Sequence, residues 1–255
     1  MILLAALFLA QDVEVEIRAA AVRPKFRLRD GEKSLKGESV FSDELDADGD
    51  TFSPGGSVAV RWGAERFHAE LWSLTAEGSS VLEEPKAWGG GVLPAGTPTD
   101  ADVRFDQLEI GWRHRFEVWG TQILRADDCV YEPILWLEAG LDLERMVVDA
   151  DLGFGSTRLG GVFLTPQVSV TAAPWPWFEV SAGAGGFFLP FRSGDTSVLD
   201  PLELGFEVKG RWDRFSVGVG YELFHLHLEE ESGRAEEDVV HLRLRGVVLS
   251  AEVRF

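Results

Sequence analysis

Two-residue alternation of apolar and polar side chains is the feature that most constrains this chain. It is clearest at the C-terminus, where every second residue from Val247 to Phe255 is apolar. Because successive side chains of a strand point to opposite faces, this pattern predicts a β-strand with one apolar face. The pattern holds up to the terminal Phe255, whereas the last residues of a soluble domain are usually polar and frayed. The terminal strand is therefore expected to lie in an apolar environment up to its last residue.

The same alternation recurs in nine further segments and predicts an all-β chain. The 17 Phe and 9 Trp favour strands as well. With Val239–Phe255 as the last, the predicted strands are Val13–Arg29, Val58–Trp62, Phe67–Ala76, Leu108–Trp112, Leu135–Glu144, Leu164–Ala172, Phe178–Phe188, Leu202–Arg211 and Phe215–Leu223. Several of the connections between them are long and polar.

Aromatic motifs mark the predicted strand ends and indicate a membrane. No apolar run reaches the ~18 residues of a transmembrane helix, but a closed barrel crosses a bilayer without one. Short turns at one rim, long loops at the other and an aromatic girdle are typical of outer-membrane barrels. Four motifs predict such short turns: Trp62-x3-Arg66-Phe67, Trp112-x2-Arg115-Phe116, Trp175-Pro-Trp177-Phe178 and Trp212-x-Arg214-Phe215.

The alternative architecture is a soluble β-sandwich, whose strands also carry one apolar face. Here the second face carries charge in nearly every strand, which suits the polar lumen of a barrel better than the outer face of a sandwich. We therefore predict an antiparallel up-and-down transmembrane β-barrel of about 10 strands, within a range of about 8–12. Short periplasmic turns and long extracellular loops are expected.

Three sequence segments carry a resemblance to a known group of proteins. They are Asp-Glu-Leu-Asp-Ala-Asp-Gly-Asp at 43–50, Leu93-Pro-Ala-Gly96, and Leu249-Ser-Ala-Glu-Val-Arg-Phe255. In this order the chain resembles uncharacterised outer-membrane β-barrel proteins of Gram-negative bacteria. The resemblance implies an outer-membrane location, and a terminal strand ending at Phe255 that the barrel-assembly machinery recognises. It implies no reaction.

The N-terminal segment and the net charge indicate the compartment of the protein and limit the classes of partner it can bind. Residues Met1–Ala10 are apolar and predict a short signal peptide cleaved after Ala10, which leaves 11–255 as one barrel domain. The net charge of −19 disfavours nucleic acid as a partner, because the phosphate backbone would be repelled. Outer-membrane lipid and the assembly machinery are the expected partners.

Charged residues on the second face predict what occupies the lumen. Buried charges are costly unless they are paired, so an Arg/Lys–Glu ladder that mostly fills the lumen is expected. General, porin-like permeation is then disfavoured, and a structural or interaction role or a narrow channel remains. The predicted lumen residues are Arg18, Arg61, Glu70, Glu109, Arg113, Glu138, Asp142, Glu144, Glu179, Glu203, Glu207, Lys209, Arg211, Glu222, Glu252 and Arg254.

His225, His227 and His241 are the candidate catalytic residues. The apolar face changes phase after Leu223 and again near Gly246, and a β-bulge in each strand would place all three histidines in the outer half of the lumen. Such a group suits an enzyme that modifies lipid or lipopolysaccharide, which is the alternative function. Since no serine lies beside them as a nucleophile, a structural polar cluster is preferred. No cofactor is predicted.

Asp46, Asp48 and Asp50 are the candidate metal ligands, because their spacing matches the start of a calcium-binding loop. If Glu44 were the first ligand, the twelfth position would be Gly55, where a bidentate Glu is required. A solvated acidic loop is therefore preferred.

Overall fold

Ten long antiparallel strands form one closed barrel in the part of the chain that the structure, a computed structural model, describes. That part comprises residues 12–29, 40–41, 45–88, 91–120, 133–153, 155–186, 191–193, 196–231 and 237–255. The predicted signal peptide lies outside it. The strands are β1 (Asp12–Arg29), β2 (Thr51–Trp62), β3 (Glu65–Val81), β4 (Pro98–Trp119), β5 (Ile134–Asp151), β6 (Ser156–Trp175), β7 (Phe178–Gly186), β8 (Thr196–Trp212), β9 (Phe215–Glu231) and β10 (Glu237–Arg254).

Each strand pairs with the next one in the sequence, and β10 closes the ring on β1. Backbone hydrogen bonds extend this closure to the last residue, because Phe255 N donates to Val13 O at 2.9 Å and Val13 N donates to Phe255 O at 3.3 Å. Shorter strands at Val40–Phe41 and Phe191–Ser193 pair with β1 and β8, and Lys86–Trp88 pairs with Gly91–Leu93. Among the described residues, no helix is long and apolar enough to cross a membrane.

The rim that holds Asp12 and Phe255 is the predicted periplasmic one, here called the lower rim. Two-residue turns join β2 to β3, β6 to β7 and β8 to β9, with left-handed backbone at Gly63 (φ 60°) and Asp213 (φ 55°). Three of the four aromatic motifs thus mark turns, as predicted. The prediction of a turn at Trp112–Phe116 is wrong, because β4 continues unbroken to Trp119. Most of the connection from β4 to β5, residues 121–132, lies outside the described residues.

The lower half of the barrel has an apolar outer surface. Its side chains face outward and are exposed in the isolated chain, for example Ile17 at 70% and Leu249 at 57%. In β9 this face runs from Phe215 to Leu223, which matches the ~9–11 residues that a tilted strand needs to cross a bilayer. Trp62, Trp212 and Phe215 lie at the lower rim, where a membrane interface favours aromatic rings. We call this surface the lipid-facing band.

Above the band the two faces of the barrel wall exchange polarity. In β1 the outward residues change from Ala21 to Arg23, while the inward residues change from Arg18 to Ala20 and Val22. The upper interior is a hydrophobic core that contains Phe26, Leu28, Leu74, Val103, Phe105, Met146, Val148, Leu159, Phe163, Phe224, Leu226, Leu228, Val240, Leu242 and Leu244. Leu45 and Ala47 of the acidic loop are buried in the same core.

The predicted bulges in β9 and β10 are wrong. Their pairing runs without a register shift from Phe215 opposite Val253 to Glu231 opposite Glu237. Side chains therefore keep their faces along both strands, and the hydropathy changes phase because the surroundings change. Below the exchange the outer face meets lipid; above it, the inner face forms the core.

Candidate functional site

The lower lumen holds a cavity of about 240 Å³ lined mainly by charged side chains. Thirteen of its lining residues were predicted to face the lumen, and that prediction is confirmed for them: Arg18, Arg61, Glu70, Glu109, Arg113, Glu138, Glu179, Glu203, Glu207, Lys209, Glu222, Glu252 and Arg254. Asp142 and Glu144 are buried, and Arg211 pairs with Glu179. Glu14, Glu16, Arg66, His68 and Arg115 line the cavity as well.

Ion pairs cross the lumen between distant strands. Lys209 Nζ lies 2.8 Å from Glu16 and 3.3 Å from Glu252. Arg61 lies 3.0 Å from Glu138, and Arg18 lies 2.5 Å from Glu70 and also pairs with Glu222. These contacts join strands that lie two or three positions apart around the barrel. A charge removed from this network would leave its partners buried without a counter-charge.

One cluster within the network is fully buried. His68 Nε2 lies 2.6 Å from Glu109 Oε1 and 3.4 Å from Asp142 Oδ1. Arg113 Nη2 donates to Asp142 Oδ2 at 2.9 Å and lies 3.4 Å from Glu109 Oε1. One ligating atom from each of His68, Glu109 and Asp142 lies within 4.8 Å of the others, so the three residues form an N/O donor set that suits a divalent cation. The Arg113 guanidinium already supplies a positive charge there, which favours an internal ion-pair cluster.

Gly111 makes room for this cluster. A Cβ atom at Gly111 would overlap both the Asp142 carboxylate and the His68 ring. Three buried atoms of the cluster, His68 Nδ1, Asp142 Oδ1 and Arg113 Nε, have no hydrogen-bond partner in the protein. Buried polar atoms without a protein partner usually bind an internal water.

The sequence interpretation missed His68, although a signal for it was present. Glu70 was predicted to face the lumen, and His68 lies two residues before it on the same strand. Residues at i and i+2 share one face of a strand, so His68 had to point inward as well. Its contact with Glu109 then follows from the pairing of β3 with β4.

His225, His227 and His241 lie on the outer wall above the lipid-facing band. His225 is directly opposite Arg243, and His227 is opposite His241, with their rings stacked at 3.8 Å between centroids. The pKa of His241 is lowered to about 4, mainly by burial and then by the nearby charges of His227 and Arg27. The structure thus brings the three histidines together, but outside the lumen.

The acidic loop brings no three ligands together in the part of it that the structure describes. Asp46 is exposed with left-handed backbone (φ 53°), and Asp50 accepts a hydrogen bond from Arg23 Nε at 3.0 Å. Glu44, the first ligand of the calcium-loop hypothesis, lies outside the described residues. The described part of the loop packs on the core through Leu45 and Ala47.

Comparisons with known proteins concern the fold. No family model and no curated protein matches the chain. The outer membrane protease OmpT from Escherichia coli is similar in structure, with a TM-score of 0.52 at 8% identity, over 96% of this chain and 97% of that one. The transport unit of the autotransporter AIDA-I from Escherichia coli gives 0.44 at 9% identity, over 96% and 91%. Neisserial surface protein A gives 0.34 at 16% identity, over 95% and 97%.

At such low identity the likeness to OmpT shows the fold alone. It agrees with the closed barrel, which the strand pairing establishes independently. The predicted transmembrane β-barrel fold and the predicted location in the Gram-negative outer membrane are confirmed.

Proposed function

We propose that this outer-membrane β-barrel is a non-conducting scaffold with a structural or interaction role. The observation that carries the proposal is the hydrophobic core in the upper lumen. Phe105 lies at its centre, with its ring 5.2 Å from Trp72 and 5.5 Å from Phe224. Hydrated ions and polar solutes would have to cross this apolar layer, which is costly for them.

The ion-pair network in the lower lumen supports the same role. Its pairs tie together strands that lie two or three positions apart around the barrel, which stiffens the membrane-spanning half. The upper half then extends the barrel beyond the lipid as a water-exposed, internally packed body that presents its outer surface and its connecting segments for binding.

Planar-bilayer recording of the refolded full chain tests the proposal. The wild-type protein should give no conductance steps, and regular steps would overturn the proposed role. Two double variants locate the barrier: Phe105→Ala/Leu226→Ala thins the core, whereas Arg18→Ser/Lys209→Ser opens the lower network. Leak should rise in the core variant alone. Leak in the lower variant alone would show that the ion pairs, and not the core, close the barrel.

A lipid-modifying enzyme is the second candidate considered from the sequence. The outer-wall location of the three histidines keeps them next to lipid headgroups, but the outward positions around them on β1, β9 and β10 carry Arg23, Lys25, Arg27, Arg243 and Arg245 and no serine. This composition favours binding over acyl transfer. A His225→Ala/His227→Ala variant should leave phospholipid and lipid A profiles unchanged, and an altered profile would restore the enzymatic hypothesis.

The barrel-assembly machinery is the proposed partner of the terminal strand. Phe255 is 68% exposed, completes the β1–β10 closure through its backbone and lies at the lower rim. Deletion of Phe255 should slow membrane insertion far more than it lowers the stability of inserted barrels. Equal insertion rates in a reconstituted assembly assay would contradict this partner.

A further inference from the structure

Nine outward-facing positions on three adjacent strands form a regular grid just above the lipid-facing band. From bottom to top, the rows across β1, β10 and β9 are Arg23–Arg245–Leu223, Lys25–Arg243–His225 and Arg27–His241–His227. Eight of these nine positions are therefore Arg, Lys or His. We call them the outer grid.

The outer grid contradicts the ordinary rules of strand pairing. Like charges directly opposite each other destabilise a sheet, yet Arg23 faces Arg245 and Lys25 faces Arg243. The whole chain carries a net charge of −19, so this cluster does not reflect a basic composition. Local rules that a sequence breaks without a gain in stability tend to mark functional surfaces.

Carboxylates in the described chain leave much of this positive charge uncompensated. Arg23 is paired with Asp50, with 3.0 Å between Nε and Oδ1. Lys25, Arg243 and Arg245 are exposed, and within the described part of the chain they make no ion pair or side-chain hydrogen bond. As far as the described residues are concerned, each of these three cations is available to bind an external anion.

The other side of the barrel at the same height is different. There, the exposed Arg104 and Arg158 lie beside acidic residues on their own or the neighbouring strand. Arg104 Nε lies 2.9 Å from Asp106, and Arg158 Nε lies 3.3 Å from Asp149. The excess of positive charge is thus a property of the outer grid and not of the whole upper wall.

The position of the outer grid indicates which class of anion it would bind. Its lowest row lies directly above Ala21, Val247 and Tyr221, the last row of the lipid-facing band. Tyr221 and Phe52, which is opposite Ala21, are exposed aromatic residues at the level of a bilayer interface. A lipid that packs its acyl chains on the band would place its headgroup on the outer grid.

We propose that the outer grid binds the phosphate groups of an anionic outer-leaflet lipid of the lipopolysaccharide class. Rows two residues apart are separated by about 7 Å and neighbouring strands by about 5 Å, so the grid covers about 13 by 10 Å. This area accommodates a headgroup with more than one phosphate. Guanidinium groups bind phosphate oxygens in bidentate geometry, and the imidazoles of His225 and His227 add hydrogen-bonding groups.

The test compares two variants that lose the same charge. Lys25→Gln/Arg243→Gln/Arg245→Gln removes cations from the outer grid, and Arg104→Gln/Arg145→Gln/Arg158→Gln removes as many from the opposite side. Refolded full-length proteins are titrated with purified lipopolysaccharide in zwitterionic detergent, after circular dichroism has verified strand content. The grid variant should bind at least about tenfold more weakly than wild type, since charge-assisted contacts to phosphate are lost, while the matched variant stays within about twofold.

Two further ligands separate the lipid from other sources of phosphate. Dephosphorylated lipopolysaccharide should bind wild type as weakly as intact lipopolysaccharide binds the grid variant. Inorganic phosphate should not displace the lipid. Equal losses in both variants would show a general charge effect and overturn the proposal, and so would displacement by inorganic phosphate. Conductance is measured separately, so failure here leaves the closed scaffold untouched.

Discussion

The lower and upper halves of this barrel are made of the same strands but carry their apolar side chains on opposite faces of the wall. In the lower half the outer face is apolar and the lumen holds ion pairs such as Lys209–Glu16. In the upper half the outer face is polar and the lumen holds the core around Phe105. One continuous backbone register serves both halves, for example along β9 and β10.

Whether a barrel position carries an apolar or a polar side chain thus depends on what surrounds it, and not on whether it faces the lumen or the outer surface. Lipid replaces the protein core in the lower half, so the lumen is free to be polar if its charges are paired. Water surrounds the upper half, so the apolar surface has to lie inside. The exchange of polarity should therefore mark the outer edge of the membrane.

Phe105→Ala should have the largest effect, because it removes a fully buried ring from the upper core. We expect a loss of about 3–5 kcal/mol in the free energy of unfolding. Guanidinium unfolding in lipid vesicles measures it. The matched control is Thr75→Ala on the exposed outer face of β3, which should change stability by about 0.5 kcal/mol or less. Similar losses at both positions would mean that the upper interior is not the core.

Ala251→Arg tests the lower outer face. A charge placed near mid-bilayer should cost ~2–4 kcal/mol, and less if the position lies closer to the rim. Ser79→Arg introduces the same side chain on the outer face of the upper half, opposite Asp100, and should be close to neutral. The same unfolding assay applies. If Ala251→Arg were tolerated, the surface called the lipid-facing band would not face lipid, and the soluble sandwich would be favoured.

Glu138→Gln tests the paired charges of the lower lumen. It keeps the shape of the side chain but removes the charge that Arg61 and Arg115 contact at 3.0 and 2.9 Å. We expect a loss of about 1.5–3 kcal/mol, smaller than that of the core variant because the adjacent cavity admits water. Glu77→Gln, on the exposed upper surface, is the control. An unchanged midpoint for Glu138→Gln would show that the lumen pairs do not contribute to stability.

His241 gives the smallest and most local effect. Its pKa of about 4 lies below the usual 6.5, so the unfolded chain binds more protons between these values and acidification through this range should weaken folding. Titration of the imidazole by NMR should give a midpoint near 4 in the free protein. Bound lipopolysaccharide should raise the pKa, because phosphate stabilises the imidazolium. An ordinary midpoint would contradict the burial of this ring on the outer wall.

The alternating pattern predicted much of the fold. The strands, their order and the three short turns at Trp62, Trp175 and Trp212 follow from local patterns and turn chemistry. The strand ends above the membrane did not follow. Residues 98–107 of β4 lie outside the predicted strand Leu108–Trp112, because their alternation has the opposite phase once the surroundings change from lipid to water.

The same inversion explains the errors at the candidate sites. In β9, Leu223 is followed by Phe224 as the apolar residue, which predicted a bulge that the backbone does not contain. Trp112 and Phe116 were assigned to a turn, although residues four apart on one strand share a face and here both point outward. The His68 cluster depends on contacts between β3, β4 and β5, and a single strand pattern holds no distances between strands.

A scan of lipid contact along the outer face of β10 tests the central claim most directly. In a Cys129→Ser background, single cysteines at Ala251, Leu249, Val247, Arg243 and His241 carry a fluorophore, and lipid-borne and aqueous quenchers are compared in vesicles. We expect lipid quenching up to Val247 and aqueous quenching at Arg243 and His241, with the change between them. Lipid quenching that continues to His241 would contradict it, because the exchange of polarity would then not mark the edge of the membrane.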